Sequence, residues 1–224
     1  MTARVVRDDV AGREVALDVL REGGIVGLPT DTVYGIAVAL TTPGGIERLF
    51  AAKRRPPDKG IMLLLDDAMQ ASQAGVMTPA AAALAAAGWP GGLTVVVPQR
   101  HDVPWPAVLT GGASTIGLRV PDHDAPRTLA RGVGPLPTTS ANVSGLPEAA
   151  AAADILDQLG ESVDLVLDGG PAHGGPASTV VDCTGPRPTL LRVGAMSVGQ
   201  IVEILDGAGV PHDLRVDASE ASPP

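Results

Sequence analysis

The stretch IVGLPTDTVYG, residues 25–35, places an apolar run directly before two threonines, an aspartate and the only tyrosine of the chain. The run Ile25–Leu28 is typical of a buried strand, and Pro29 predicts its end because proline cannot donate a ladder hydrogen bond. Ligands of α/β folds bind at strand ends, so the hydroxyls after Pro29 predict a ligand site at the rim of a sheet. A turn whose Thr and Asp side chains bond their own backbone explains the same residues. This stretch alone leaves both interpretations open.

Outside this stretch, apolar runs of strand length alternate with helical patterns, which is typical of an α/β domain. Strands are predicted at 25–28, 33–40, 61–65, 93–97, 115–120, 164–168, 178–183 and 189–193. Helices are predicted after Asp8 or Asp9, after Thr42, and at 78–88, 124–131, 147–159 and 197–206. We therefore predict an α/β fold with a twisted, mostly mixed, many-stranded sheet flanked by helices.

The chain shows no internal repeat and no linker that would divide it. One domain is therefore predicted over residues 8–206. From residue 210 onward the segment VPHDLRVDASEASPP is polar and ends in proline, so 210–224 is predicted to be a disordered tail.

Composition excludes several classes of protein. The net charge of −9 and the presence of only four aromatic residues argue against a protein that wraps nucleic acid by charge or stacks bases. Cys183 is the only cysteine, which excludes an internal disulfide and a multi-cysteine zinc site. The charged start is unlike a signal peptide, and no apolar run approaches a membrane span. We expect a cytoplasmic protein without a membrane partner.

Cations and hydroxyls recur where the predicted strands end. The segment KRRPPDK, residues 53–59, holds four of the sixteen Lys and Arg residues of the chain. A run of this kind is most often a solvated face, and each hydroxyl alone fits a turn. Their recurrence favours a polyphosphate site, because phosphoryl chemistry depends on positioning and charge neutralisation. No metal-ligand spacing and no nucleophile motif accompanies them, and the four histidines are scattered.

Seven segments, taken in order, resemble the YrdC-like threonylcarbamoyl-AMP synthase family. They are PTDTVYG (29–35), KRRPPDKG (53–60), WPGGLTVVVP (89–98), IGLRVPDH (116–123), PTTSANVSG (137–145), STVVD (178–182) and LLRVG (190–194). The resemblance covers about residues 8–206. It implies a large concave ligand cavity and the short, single-domain form of the family.

The resemblance implies that L-threonine, bicarbonate or CO₂, and ATP are joined to give threonylcarbamoyl-AMP and pyrophosphate. The enzyme would be a nucleotidyltransferase that serves the threonylcarbamoyladenosine modification of tRNA. Mg²⁺ is expected with ATP, without a metal site made by the protein. Transient contact with tRNA and with the separate threonylcarbamoyl transferase is expected.

The resemblance also implies roles for individual residues. Lys53 and Arg55 are predicted to be catalytic. The threonine pocket is predicted to contain Thr32, Arg119 and Thr138, with the Arg119 guanidinium on the substrate carboxylate. Contacts to ATP are predicted for Arg55, Lys59, Thr115, Ser140, Asn142, Ser144, Ser178 and Arg192.

Two positions depart from the family pattern. Gly60 stands where many relatives have proline, which predicts a looser loop around Lys59. Glu148 stands where a small hydroxyl residue is frequent, so no ligand role is predicted for it.

Three other functions are compatible with parts of the sequence. A non-catalytic RNA-binding module would use the basic segment, but the net charge and the few aromatics disfavour it. The carbamoyl-transfer module of hydrogenase-maturation proteins shares this domain but adds zinc fingers, which one cysteine cannot supply. A regulatory domain that binds nucleotide without turnover stays compatible with every motif.

Overall fold

The computed structural model describes residues 3–56, 59–172 and 175–215. Within these ranges the elements are β1 (Arg4–Arg7), α1 (Val10–Arg21), β2 (Val26–Leu28), β3 (Gly35–Ala37), α2 (Gly45–Lys53), β4 (Met62–Leu64), α3 (Ala68–Ala74), α4 (Pro79–Gly88), β5 (Leu93–Pro98), α5 (Ala107–Thr110), β6 (Thr115–Arg119), α6 (Asp124–Val133), β7 (Leu136–Ser140), α7 (Ala152–Leu159), β8 (Leu165–Asp168), β9 (Thr179–Asp182), β10 (Thr189–Arg192) and α8 (Val198–Gly207).

These strands form one ten-stranded sheet in the order β1-β8-β2-β3-β7-β4-β6-β5-β9-β10. The pairs β1–β8, β8–β2, β4–β6 and β5–β9 are parallel, and the other neighbours are antiparallel. The predicted α/β fold with a mixed, many-stranded sheet is confirmed.

Apolar side chains pack on both faces of this sheet. In β8, Leu165 and Leu167 belong to the smaller of two core clusters, whereas Val166 belongs to the larger one. This alternation follows from the two-residue period of a strand. Helices α1 and α6 cover the smaller cluster with residues such as Leu20 and Leu129. Apolar packing therefore occupies both faces of the sheet, and the polar residues available for a ligand site lie at strand ends and in loops.

Helix starts follow local capping chemistry. Asp9 caps α1 by accepting from the Gly12 amide at 2.9 Å. Ser197 and Gln200 form the expected capping box at the start of α8. Helix α2 begins at Gly45, later than the predicted start at Thr42.

Sequence patterns missed two strands and two short helices. Strand β1 is an edge strand with three of its four residues exposed, so it has no apolar signature. Strand β7 contains Pro137 and three hydroxyl residues, which disfavour a central strand. Its pairing with both β3 and β4 nevertheless places it in the middle of the sheet.

The described part of the predicted tail, 210–215, packs against the domain. Val210 and Leu214 contact the larger core cluster, although residues 211–215 have no regular secondary structure. The remainder, 216–224, lies outside the described residues. No helix in the described ranges is long and apolar enough to cross a membrane.

Candidate functional site

A cavity of about 160 Å³ opens over the central strands of the sheet. A single buried water needs only about 10–15 Å³ by the same kind of measure, so this space is far larger than a packing defect. Its wall is formed by Thr30, Thr32, Val33, Tyr34, Gly35, Arg55, Gly60, Ile61, Met62, Leu64, Arg119, Thr138, Thr139, Ser140, Glu148, Ala177, Ser178 and Arg192.

The turn after β2 satisfies its own backbone and also serves the cavity. The Thr30 hydroxyl donates to the Val33 carbonyl oxygen at 2.6 Å and accepts from the Thr32 amide at 3.1 Å. Thr30 is therefore the turn residue, while the Thr32 side chain is left to face Arg119. Both interpretations of the opening stretch hold, because Thr30 serves the turn and both threonines line the cavity.

Arg119 ends β6 and reaches the cavity wall with only 3% of the residue exposed. Its Nε donates to the Gly91 carbonyl oxygen and its Nη1 to Thr32 Oγ1, both at 2.9 Å. Its Nη2 donates to Asp31 Oδ1 at 2.7 Å. Burial lowers the pKa of Arg119, and the Asp31 carboxylate acts in the opposite direction. The guanidinium is thus held from three sides by the protein.

Thr138 and Ser178 offer oxygen atoms to the cavity. The Thr138 hydroxyl donates to the Leu136 carbonyl oxygen at 2.8 Å, which leaves its lone pairs for a donor on a ligand. Ser178 Oγ lies 2.8 Å from Thr94 Oγ1 and accepts from Arg192 Nη2 at 3.2 Å.

Arg192 is aimed into the cavity by an irregularity of the edge strand β10. The register of β10 against β9 shifts between Leu190 and Arg192, as at a β-bulge. Bulges re-aim side chains, and here Arg192 Nε donates to the Ser178 carbonyl oxygen at 3.0 Å. Arg192 therefore brings a cation from the edge of the sheet to the wall of the cavity.

Lys53 lies behind the cavity wall and is 2% exposed. Its ammonium donates to the carbonyl oxygens of Ser140 and Asn142 and to Asn142 Oδ1 at 2.8 Å, with Ser140 Oγ at 3.3 Å. Burial, and next the charge of Arg55, lower the pKa of Lys53 to about 8. The contacts join the end of α2 to the loop after β7.

Arg55 reaches the cavity wall from the basic segment and closes the loop that follows α2. Its Nε donates to the Lys59 carbonyl oxygen at 2.9 Å and its Nη2 to the Gly60 carbonyl oxygen at 2.7 Å. The preceding Arg54 is exposed and adopts a left-handed backbone with φ of 51°. Because of this turn the two arginines point in different directions, and Arg54 lines a different groove.

The structure gives Gly60 a packing role. A Cβ atom at this position would lie 2.9 Å from the carbonyl group of Thr110 in α5. The Ile61 amide also donates to the Leu109 carbonyl oxygen at 2.9 Å. Glycine permits this close contact with α5, and the expectation of a looser loop around Lys59 stays a prediction.

Seven of the predicted site residues meet at this wall: Thr32, Arg55, Arg119, Thr138, Ser140, Ser178 and Arg192. The other five, Lys53, Lys59, Thr115, Asn142 and Ser144, are not among the described residues that line it. Lys53 and Asn142 bond to each other behind Ser140, and Lys59 and Ser144 are exposed. Thr115 starts β6, about 13 Å along the strand from Arg119.

Four polar wall residues were given no role by sequence reasoning: Thr30, Tyr34, Thr139 and Glu148. Tyr34 accepts from the Gly169 amide at 3.1 Å and donates to the Gly170 carbonyl oxygen at 2.6 Å, which ties the glycine-rich loop to the wall. Thr139 belongs to a predicted motif but was given no role there. Glu148 had no signal beyond its departure from the family pattern, yet it is the carboxylate of the described wall.

The wall is cationic although the whole chain is acidic. Arg55, Arg119 and Arg192 face one carboxylate, Glu148, in a chain of net charge −9. No group of three or more metal-ligating side chains occurs among the residues that the structure describes. The arrangement is suited to a bound anion that carries several charges.

Comparison with known proteins identifies relatives along most of the chain. The model of the Sua5/YciO/YrdC family, described as "Telomere recombination", matches residues 18–194. Threonylcarbamoyl-AMP synthase of Pyrococcus abyssi is 33% identical over 85% of this chain and 56% of its own length. The Bacillus subtilis protein of the same name is 34% identical over 89% of this chain and 58% of its own length. The chain thus spans little more than half of these two relatives.

A shorter relative and two solved structures are also similar to this chain. A putative threonylcarbamoyl-AMP synthase of Mycobacterium tuberculosis is 36% identical over 85% of this chain and 87% of its own length. P. abyssi Sua5 complexed with L-threonine superposes with a TM-score of 0.84 at 31% identity, over 92% of this chain and 61% of that one. Escherichia coli YciO superposes with a TM-score of 0.78 at 25% identity, over 88% of this chain and 98% of that one.

Proposed function

We propose, because the chain belongs to the Sua5/YciO/YrdC family, that it is a threonylcarbamoyl-AMP synthase. As a nucleotidyltransferase it would convert L-threonine, bicarbonate or CO₂, and ATP into threonylcarbamoyl-AMP and pyrophosphate. The observation that carries the proposal is one cavity whose wall combines Arg119 and Thr32 with Arg55 and Arg192. The first two suit an amino acid, and the second two suit a polyphosphate.

Threonine is bound in this proposal through its carboxylate. Arg119 donates planar, charge-assisted hydrogen bonds to carboxylate oxygens, and its three protein contacts hold it in place. Thr138 accepts from a donor of the amino acid, because its own hydrogen is already used. The L-threonine complex of P. abyssi Sua5 supports an amino-acid site on this fold.

The chemistry requires no side-chain nucleophile. The neutral amine of threonine attacks CO₂, forms an N–C bond and loses a proton, which leaves a carbamate. A carbamate oxygen then attacks the α-phosphorus of ATP, the bond from this phosphorus to the bridging oxygen breaks, and pyrophosphate leaves with the electron pair. The cavity contributes alignment of the reactants and positive charge toward the leaving group.

Arg55 and Arg192 are assigned to the phosphates in this proposal. Both face the cavity, and Ser178 and Ser140 lie beside them. Lys53 acts indirectly, because its ammonium bonds to Ser140 and Asn142 and so positions the loop after β7. Mg²⁺ is proposed to arrive with ATP, where it neutralises phosphate charge. The wall provides few carboxylates for it, which fits a cation held mainly by phosphates and water.

The product would serve tRNA modification in the cytoplasm. We propose transient contact with a threonylcarbamoyl transferase and with tRNA, because the mixed carbamic–phosphoric anhydride is a reactive compound that a second enzyme must consume.

Release of pyrophosphate by the purified protein tests the proposal. Pyrophosphate is expected only when threonine, bicarbonate and ATP are all present, in the absence of RNA. Equal release without threonine would indicate a generic ATPase and contradict the proposal. Binding of ATP without any release would indicate a nucleotide-binding regulatory domain.

A further inference from the structure

Asp31 is a charged residue of the opening stretch that has no assigned role. It does not line the cavity, yet its Oδ1 accepts from Arg119 Nη2 at 2.7 Å. Its side chain is 16% exposed and that of Arg119 is 4% exposed, so water screens this ion pair only weakly. The carboxylate therefore lies directly behind the guanidinium that faces the cavity.

The turn that carries Asp31 is fixed independently of Arg119. Thr30 accepts from the Thr32 amide and donates to the Val33 carbonyl oxygen. Arg119 is also fixed without Asp31, since Gly91 and Thr32 accept two of its N–H groups. The orientation of the Arg119 guanidinium therefore has several sources among the described residues, whereas the negative charge that compensates it comes from Asp31.

We infer that Asp31 is a positioning residue that balances the charge of Arg119 and thereby weakens its hold on the threonine carboxylate. This inference rests on the proposed function. Two carboxylates compete for one guanidinium, one from the protein and one from the substrate. At a separation of about 7 Å and an effective dielectric constant of about 20, their repulsion sets an upper limit of about 50-fold on the change in affinity.

A weaker contact between Arg119 and the ligand carboxylate is an advantage when the ligand must leave the site again. An uncompensated buried arginine would hold every carboxylate tightly, substrate and product alike. Threonylcarbamoyl-AMP keeps the carboxylate of threonine, so the same contact holds the product. A weakened contact permits product release, because binding that is equal in every state lowers KM without raising kcat.

The test compares wild type with Asp31→Asn by calorimetric titration of the full chain with L-threonine. Asparagine keeps an oxygen that can accept from Nη2 but removes the negative charge. Asp31→Asn is expected to bind threonine about tenfold more tightly, to bind ATP as before, and to melt at a lower temperature without ligand. Threoninol, which lacks the carboxylate, should show no gain in affinity.

Asp66→Asn is the matched control. Asp66 is another buried carboxylate in an arginine pair, since it accepts from Arg131 Nη2 at 2.7 Å, but it does not line the cavity. This variant should lose stability and leave the affinity for threonine unchanged. A gain in both variants would show that general loosening, rather than the charge at Arg119, causes the effect.

The outcomes separate the inference from the proposed function. Absence of threonine binding by wild type would overturn both. Threonine binding by wild type with equal or weaker binding by Asp31→Asn would overturn the inference alone. If Asp31→Asn does not fold, refolding in threonine gives the answer. Threonine stabilises every variant that binds it, but its carboxylate should also replace the missing charge in Asp31→Asn, so threonine should stabilise this variant more than Asp66→Asn. Equal stabilisation of the two variants would contradict the inference.

Discussion

Two regions of the molecule bury a cation almost completely, and they do so in different ways. Lys53, at the end of α2, is surrounded by uncharged oxygens of Ser140 and Asn142. Arg119, at the end of β6, pairs with the carboxylate of Asp31 and lines the cavity. Lys53 is 2% exposed and Arg119 3% exposed, so burial alone does not distinguish them.

The difference shows that the partners of a buried cation indicate its role. An ammonium that donates to two backbone carbonyls and an amide holds two chain segments together, and few of its donors are left for a ligand. A guanidinium has five donors in one plane, so it can bond to the protein and still face a ligand. The proposed function therefore treats Lys53 as a positioning residue and Arg119 as a binding residue.

The largest effect is expected at Arg55, the neighbour of Lys53 that does reach the cavity. Arg55→Ala should lower the rate of pyrophosphate release about 10²–10³-fold, because charge on the leaving group loses a fixed donor. Steady-state assays with saturating substrates measure this effect, and thermal melting checks the fold.

Arg54→Ala is the control for this prediction. Its side chain is exposed and lies outside the cavity wall, so this variant should retain activity within a few-fold of wild type. If Arg54→Ala lowers the rate as much as Arg55→Ala, the basic segment acts through its summed charge and the phosphate assignment is wrong.

The second largest effect is expected at Arg119, whose guanidinium presents its donors in one plane. Arg119→Lys keeps the charge but loses donors that three protein acceptors and a ligand share. The KM for threonine should rise about 10- to 100-fold while the KM for ATP changes little. Equal changes in both constants would place the threonine carboxylate elsewhere.

The smallest effect is a dependence of stability on pH that arises at Lys53. Burial lowers the pKa of this lysine in the folded protein to about 8, from an ordinary value of 10.5. Between these values the unfolded chain binds more protons than the folded one, so the free energy of unfolding rises with pH. The slope is at most about 1.4 kcal/mol per pH unit for one proton.

Denaturant unfolding of wild type and Lys53→Met, at pH values from 7 to 10, isolates this contribution. The difference between the two proteins should be constant below pH 8 and should shift in favour of wild type above it. A difference that stays flat up to pH 10 would mean that the four oxygens keep the ammonium charged, as they would in a purely structural cation site.

Much of the fold followed from local patterns. The apolar runs at 61–65, 93–97 and 164–168 predicted strands that the structure contains at nearly the same positions. Strand β7 was missed because Pro137 and its hydroxyls disfavour a central strand, while pairing with two neighbours overrides that preference. A local signal cannot report a pairing between segments that are distant along the chain.

The candidate site was predictable only in part, because motifs are local whereas the cavity wall is formed by segments that are distant along the chain. Motif resemblance selected Arg119 and Thr32, which the structure joins at 2.9 Å. It also selected Thr115, which lies at the other end of the same strand. Glu148 carries no pattern of its own and reaches the wall from the loop between β7 and α7.

By itself the sequence determined the α/β class, the order of most strands along the chain, and the hydroxyl and cation types that the cavity uses. These are consequences of periodicity, capping and turn chemistry, which act over a few residues. Only the tertiary structure decided that Lys53 faces inward to Asn142 while Arg55 faces the cavity, and that Asp31 lies behind Arg119. These choices depend on the left-handed turn at Arg54 and on strand neighbours far apart in sequence, because burial and charge compensation are properties of packed surroundings rather than of residue order.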